Sequence, residues 1–165
     1  MKKFFKSFVY AFRGVIFCIA NEQNMRVHIC FTAYMFGFLT VFDFFEVSKA
    51  EFAVLFGLCG LVMSLEAVNT AVERAVDLSA GGRQSELAKV AKDAAAGAVL
   101  ISAIASVAAG ISIMFQPEAF VKMFEYYKEN PAVFVLLAVS ICVSVAFVFI
   151  PGYFKKKKEK TDGKI

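Results

Sequence analysis

Carboxylates inside a long apolar segment are the part of this sequence best suited to chemistry. At about 100° per residue of an α-helix, Glu66, Thr70, Glu73 and Asp77 fall on one narrow stripe, with Asn69 beside it. A charged side chain near the centre of a bilayer costs roughly 2.5–3.5 kcal/mol on insertion scales. We therefore expect this stripe to meet water, a metal ion, a basic partner or a substrate.

A further carboxylate, Glu22, precedes the first predicted span, at the same level as Glu73. Mg²⁺ takes oxygen ligands, typically including one or two protein carboxylates, and keeps open positions for phosphates. Glu22 and Glu73 would suffice for such a site. Lys92, with Lys89 or Arg83 nearby, could balance the remaining charge of a polyphosphate.

Glu66 lies deeper in the same helix than Glu73. Two helical turns separate them, which is about 10 Å, so Glu66 is expected near the lipid headgroups and upper acyl chains. A carboxylate at that depth can orient or deprotonate a lipid hydroxyl. Together with a metal ion and cations on the phosphates, it supplies the parts required for phosphoryl transfer.

Two other classes of function fit the same stripe. Intramembrane carboxylates also serve proton or cation transport, which predicts ion flux without ATP. In a non-catalytic helix-packing subunit, Glu66 and Glu73 would matter for assembly alone. The scarcity of polar residues in the third and fourth apolar segments argues against a continuous pore. The residues by themselves leave the three hypotheses open.

The composition predicts an all-α integral membrane bundle. The chain has 165 residues, 59% of them hydrophobic, and a mean hydropathy of +0.67. Such values are too high for an ordinary soluble domain of this length. Four segments can span a hydrocarbon core of about 30 Å, namely residues 27–45, 52–76, 94–115 and 132–150.

An amphipathic pattern precedes the first span. Its apolar residues recur at helical spacing opposite Lys2, Lys3, Lys6, Tyr10 and Arg13. These apolar residues are Phe4, Phe5, Phe8, Phe12, Val15, Ile16 and Ile19. The pattern is typical of a helix that lies in the membrane interface, and no signal-peptide cleavage is expected.

Basic residues predict the orientation in the cell membrane, because Lys and Arg near span ends stay on the cytoplasmic side. They cluster in the amino-terminal arm, in the loop after the second span and in the carboxy-terminal tail. These residues are Lys2, Lys3, Lys6, Arg13 and Arg26, then Arg83, Lys89 and Lys92, and finally Lys155, Lys156, Lys157, Lys158, Lys160 and Lys164. Both termini and the candidate site are therefore expected on the cytoplasmic side.

Helix boundaries follow from short signals. Gly81 and Gly82 end the second long helix, and Ser85 is placed to start the next at Glu86. The small residues at 94–98 favour close helix contact and predict that the third span is a packed central helix. Residues 116–128 are expected to form an amphipathic segment on the outer interface.

Three strings carry a resemblance to a known family. They are Asn21-Glu22 followed by Arg26, then Glu66-x-x-Asn69-Thr70-Ala71-x-Glu73-x-x-x-Asp77, and Ala88-Lys89-x-x-Lys92-Asp93-x-x-x-Gly97. In combination they resemble the prokaryotic diacylglycerol kinase and undecaprenol kinase family of small integral membrane lipid kinases. The resemblance covers about residues 1–115. Residues 116–165, with the fourth span and the Lys-rich tail, lie beyond the family core and are expected to be an anchor or packing helix.

The resemblance also implies roles for individual residues. It implies that Glu66 is the catalytic base and that Glu22 and Glu73 bind the metal. Asn69, Arg26 and Lys89 would support the site. The implied nucleotide-binding residues are Lys3, Tyr10, Glu22, Glu73, Asp77, Arg83, Gln84, Ser85, Lys92 and Asp93. Ser85 departs from the family pattern, since relatives often carry His there.

The expected activity is ATP- and Mg²⁺-dependent phosphorylation of a membrane lipid. The Asn69-Thr70-Ala71 form and the Ala-Lys string favour undecaprenol as the substrate, with diacylglycerol close behind. The resemblance further suggests a homotrimer with active sites at the subunit boundaries. No nucleic-acid partner is expected.

Overall fold

Helices account for nearly all of the structure. The computed structural model describes residues 2–81 and 85–161, and the side chains of residues 3–81 and 85–150. The helices are α1 (Lys2–Asn21), α2 (Gln23–Val41), α3 (Lys49–Ala80), α4 (Glu86–Met114), α5 (Pro117–Glu129) and α6 (Pro131–Thr161). No strand occurs in those two ranges. The predicted all-α membrane bundle is confirmed.

Hydropathy identifies four of the described helices as long and apolar enough to cross a membrane. These segments are Lys3–Asn21, Lys49–Ala80, Glu86–Met114 and Pro131–Ile150. The predicted second and fourth spans lie inside α3 and α6. The third starts eight residues after the first residue of α4 and ends one residue beyond its last. The amino-terminal helix α1 meets the criterion, whereas α2 does not, because Asn24, Arg26 and His28 make its first two turns polar. Even so, α2 packs against both α3 and α6, inside the bundle.

Local side-chain chemistry sets the limits of α3. At its start, Ser48 Oγ accepts a hydrogen bond from the Glu51 backbone N–H at 3.3 Å, and Glu51 Oε2 accepts one from the Ser48 backbone N–H at 2.8 Å. This reciprocal pair is a capping box. At its end, Gly81 adopts a left-handed conformation with φ of 55°. The predicted end of the second long helix at Gly81 is confirmed.

Ser85 begins α4 in the manner that the sequence predicts. Its hydroxyl accepts a hydrogen bond from the Ala88 backbone N–H at 3.1 Å, which satisfies one of the free amides of the first turn. Arg83 and Gln84, which were predicted to contact nucleotide, lie outside the described residues. The α3–α4 connection therefore starts with a glycine cap and finishes with a serine cap.

The α3–α4 pair is the most extensive helix contact within residues 2–81 and 85–161. Near the connection, Lys92 Nζ lies 2.9 Å from Asp77 Oδ1. Deeper in the pair, Ser106 Oγ lies 3.5 Å from the Leu58 carbonyl oxygen. These two contacts fix an antiparallel register between the helices. We name the end of the bundle with Asp77 and Lys92 the site end, and the opposite end the far end.

Among the described residues, α1, α2, α3 and α6 each contact three other helices, and the prediction that the third span is central was wrong for the single chain. Within the described residues, α3 contacts α1, α2 and α4, whereas α4 contacts α3 alone. A broad apolar face of α4 is exposed, including Leu100, Ile101, Ile104, Val107 and Ile111. The small residues of α4 allow its close approach to α3 but do not determine how many neighbours it has.

The far end is closed by a side-chain amide and by aromatic rings. Gln116 Nε2 donates to the Glu46 carbonyl at 2.9 Å, and the Glu46 backbone N–H donates to Gln116 Oε1 at 3.0 Å. Phe44 stacks on Phe42 with ring centroids 5.1 Å apart, and Tyr126 of α5 lies edge-on to Phe44 at 5.4 Å. These contacts join the α2–α3 loop to the start and end of α5.

The Gly81 cap gives a test of the α3 boundary. We expect Gly81→Ala to lower the free energy of unfolding by about 1 kcal/mol, because an alanine is disfavoured in the left-handed conformation. The measurement is unfolding in detergent micelles followed by circular dichroism. Gly57→Ala is the matched control, since Gly57 lies inside α3 with open space around it. Equal destabilisation by both variants would contradict the capping role.

Candidate active site

The predicted carboxylate stripe of α3 is buried at its deep end and becomes exposed toward Asp77. Only 2% of Glu66 and 8% of Asn69 are exposed, and Thr70 is also buried. Thr70 Oγ1 donates to the Glu66 carbonyl at 3.0 Å, so its hydroxyl is satisfied within the helix. Asn69 Nδ2 donates to Glu73 Oε1 at 3.2 Å, which links Asn69 to the shallower carboxylate. The supporting role of Asn69 stays a prediction.

Glu22 reaches the same region from a sharp corner in the chain. It is the single non-helical residue between α1 and α2, with φ of −105° and ψ of 121°. Glu22 and Glu73 both lie close enough to Glu66 to interact electrostatically with it, and Asn24 is close to the Glu66 carboxyl group. Glu22 thus lies in the electrostatic surroundings of Glu66, although more than forty residues separate the two in the sequence. Their mutual repulsion favours a cation or a proton between them.

Several buried oxygen atoms at this face have no hydrogen-bond partner in the described part of the chain. They are Glu66 Oε2, Asn69 Oδ1 and Ser102 Oγ. Leaving a buried polar atom unsatisfied costs about 1–3 kcal/mol, so such atoms are rare unless a ligand or water completes them. Two of the three belong to the predicted site. Ser102 could not be predicted from the sequence, because only the α3–α4 register brings this residue of α4 to a depth close to that of Glu66.

The oxygen atoms near Glu66 are of the chemical type that Mg²⁺ prefers. In residues 2–81 and 85–161, no group of three or more His, Cys, Asp or Glu side chains is arranged to hold a metal ion alone. Glu22 and Glu73 provide two carboxylates, which is the usual protein share for Mg²⁺ bound together with phosphates. The free Asn69 Oδ1 adds an oxygen of the right chemical type.

Asp77 forms an ion pair with Lys92 at the site end. Its Oδ1 lies 2.9 Å from Lys92 Nζ, and the two side chains are 63% and 36% exposed respectively. Exposed ion pairs contribute only about 0–1 kcal/mol to stability. Lys92 can therefore exchange Asp77 for a phosphate group at little cost. Lys89 and Asp93 are exposed on the same helix.

The α1 residues predicted to face nucleotide are exposed. Tyr10 is 64% exposed, and Lys3 is also exposed. A different contact joins α1 to α3, in which the Arg74 guanidinium lies 5.0 Å from the centre of the Phe17 ring. This cation–π contact was not predicted, although Arg74 lies next to Glu73 in the sequence. The roles of Lys3 and Tyr10 stay predictions.

Comparison with known proteins identifies the family. The family profile described as "Prokaryotic diacylglycerol kinase" matches residues 9–114, which include Glu22, Glu66, Glu73 and Lys92. The chain belongs to the prokaryotic diacylglycerol kinase family. The matched residues end where α4 ends, so α5 and α6 lie outside the family profile. Membership of this membrane kinase family, together with several apolar helices, makes the chain a multi-pass membrane protein.

Two curated proteins are similar to the chain. A protein named "Diacylglycerol kinase" from Synechocystis sp. is 43% identical over 111 residues, which are 67% of this chain and 62% of that protein. A protein named "Undecaprenol kinase" from Bacillus subtilis is 40% identical over 120 residues, which are 72% of this chain and 92% of that protein. The chain thus matches about three fifths of the Synechocystis protein. No solved structure is significantly similar to it.

Proposed function

We propose that the protein is an ATP- and Mg²⁺-dependent lipid kinase that transfers the γ-phosphate to a hydroxyl group of a membrane lipid. The observation that carries this proposal is the buried Glu66 carboxylate, whose Oε2 has no partner among the described residues. Glu66 lies deeper in α3 than Glu73 and close to Glu22. The names of the two relatives support kinase activity on a lipid.

Glu66 acts as the general base in this mechanism. One of its carboxylate oxygens accepts the proton of the lipid hydroxyl as the hydroxyl oxygen forms a bond to the γ-phosphorus. The bond between that phosphorus and the bridging oxygen of ATP breaks, and ADP leaves. Because Glu66 lies about 10 Å deeper than Glu73 along α3, the γ-phosphate must extend from the groups at the site end toward Glu66, where it meets the lipid hydroxyl.

Glu22, Glu73 and Lys92 hold the phosphate donor. When bound, Mg²⁺ would be held by Glu22 and Glu73 and would neutralise charge on the phosphates. Asn69 keeps Glu73 in place through its side-chain amide. Lys92 leaves Asp77 and binds a phosphate oxygen. Its positive charge then stabilises the negative charge on the phosphates during the transfer.

The cellular arrangement belongs to the same proposal. ATP is a cytoplasmic metabolite, so the site end faces the cytoplasm, in agreement with the positions of Lys and Arg in the sequence. A homotrimer is proposed from the family resemblance. The exposed apolar face of α4 and an apolar groove of about 510 Å³ lined mainly by α2 and α4 offer surface for neighbouring subunits.

The lipid is proposed to be undecaprenol, with diacylglycerol as the alternative. The match to the undecaprenol kinase covers 92% of that relative, against 62% for the diacylglycerol kinase. We expect purified protein in mixed micelles with radiolabelled ATP and Mg²⁺ to phosphorylate undecaprenol at least tenfold faster than diacylglycerol. Faster transfer to diacylglycerol would reverse the substrate assignment.

Two controls accompany this assay. A chelator of divalent cations is expected to stop the transfer. If neither lipid accepts phosphate and the protein instead moves protons or cations across liposomes without ATP, the transporter hypothesis replaces the kinase.

A further inference from the structure

One buried arginine connects three helices near Glu22. Arg26 of α2 is only 2% exposed. Its Nη1 donates to the carbonyls of Ile19 at 2.9 Å and Ala20 at 3.2 Å, in the last turn of α1. Its Nε and Nη2 both donate to the Val148 carbonyl of α6 at 3.2 Å. The same guanidinium thus holds the end of α1, the start of α2 and a point on α6.

The bonding pattern explains how this charge can be buried. Helix ends leave carbonyl groups without intrahelical partners, and the partial negative charge there favours a cation. Among the side chains that the structure describes, Arg26 forms no ion pair with a carboxylate. Its charge is therefore balanced by carbonyl dipoles, including one from α6. Loss of the α6 carbonyl would leave part of the buried guanidinium without acceptors, which is costly.

A second polar contact fixes α6 against α2. Tyr34 OH lies 3.0 Å from Ser140 Oγ and 3.1 Å from Ser144 Oγ. Tyr34 follows Arg26 by two helical turns, and Ser144 precedes Val148 by one turn, so the two contacts share one antiparallel register. Among the side chains that the structure describes, no further hydrogen bond joins α2 to α6. The pair of contacts sets both the height and the rotation of α6.

We propose that α6 braces the corner between α1 and α2 and thereby positions Glu22, with Arg26 and Tyr34 as positioning residues. In the sequence, Glu22 lies between Ala20 and Arg26, and the Arg26 side chain is hydrogen-bonded to the Ala20 carbonyl. A magnesium ligand must be placed accurately, since Mg²⁺ demands near-ideal octahedral geometry at about 2.0–2.1 Å. This inference rests on the proposed function, and it assigns a role to a helix outside the matched family residues.

The test removes the Tyr34 contact, which is remote from the carboxylates. The variant combines Tyr34→Phe, Ser140→Ala and Ser144→Ala in the full chain. We expect the Mg²⁺ concentration for half-maximal kinase activity to rise about two- to tenfold, the range for losing one or two hydrogen bonds. The kcat at saturating Mg²⁺ should stay near that of the unaltered protein. Cys142→Ala is the matched control, because Cys142 lies between the two serines and is exposed.

A second measurement is independent of kinase activity. Spin labels at Phe12→Cys on α1 and Leu136→Cys on α6, both exposed positions, report the distance between the helices after the four native cysteines are replaced. The triple variant should broaden the distribution of distances relative to the labelled, cysteine-replaced protein that keeps Tyr34, Ser140 and Ser144.

The outcomes separate the two proposals. An unchanged Mg²⁺ requirement, or an equal loss of kcat at every Mg²⁺ concentration, would overturn the positioning of Glu22 by α6. If the unaltered protein transfers no phosphate, the kinase proposal fails, and the spin-label distances still decide the brace. An unchanged distribution of distances would overturn it.

Discussion

Glu66→Gln is expected to abolish phosphate transfer while ATP binding stays close to that of the unaltered protein. Glutamine keeps the size of the side chain but cannot accept the hydroxyl proton, and general-base catalysis contributes typically about 10²- to 10⁴-fold. Glu66 lies deeper than the groups proposed to hold the phosphates, so its replacement leaves them in place. The measurements are kcat with each lipid and ATP affinity by titration calorimetry.

Glu51→Gln is the matched control for this variant. Glu51 lies on the same helix but at the far end, where it belongs to the α3 capping box. Its replacement is expected to lower stability slightly and to leave the specific activity intact. Full activity of Glu66→Gln would remove Glu66 from the role of base, whereas loss of ATP affinity in that variant would place Glu66 among the phosphate-binding groups.

Glu73→Gln is expected to produce the second large effect, a loss of Mg²⁺ affinity of at least about 100-fold. Replacing groups that merely orient metal ligands typically costs about 10–100-fold in affinity, and Glu73 is a proposed ligand itself. The variant should therefore have little activity at the Mg²⁺ concentration that saturates the unaltered protein, and more Mg²⁺ should restore part of it. The measurement is the initial rate across a series of Mg²⁺ concentrations.

The control for Glu73→Gln is Glu125→Gln. Glu125 is exposed on α5 at the far end, so its replacement removes the same charge from the chain without altering the site. The Mg²⁺ dependence of this control should match the unaltered protein. If Glu73→Gln shows that same dependence, Glu73 does not bind the metal.

Sequence predicted the placement of residues well where it depends on local structure. The stripe through Glu66 and Glu73 follows from helical periodicity alone, since residues three, four and seven apart share a face. The Gly81 and Ser85 boundaries follow equally from local rules, because a left-handed cap and a serine N-cap act within one turn. These predictions needed no knowledge of the tertiary structure.

Contacts between segments far apart in the chain could not be predicted from the sequence. Arg26 and Val148 are 122 residues apart, and nothing in either local pattern indicates that a guanidinium meets that carbonyl. The position of α4 was misjudged for a related reason. Lipid tails are as apolar as Leu, so hydropathy cannot distinguish a face that packs on helices from a face that contacts lipid.

Gln116 has a mechanical consequence for the whole bundle. Its side-chain amide pairs with both the N–H and the carbonyl of Glu46, as a neighbouring peptide group would in a sheet. The Gln116 side chain offers a donor and an acceptor together. Its two hydrogen bonds to Glu46 hold the α2–α3 loop against the end of α4. Motion of α4 relative to α2 would then pivot about Gln116, with its largest amplitude at the site end, where we propose that Lys92 releases Asp77 and binds a nucleotide phosphate.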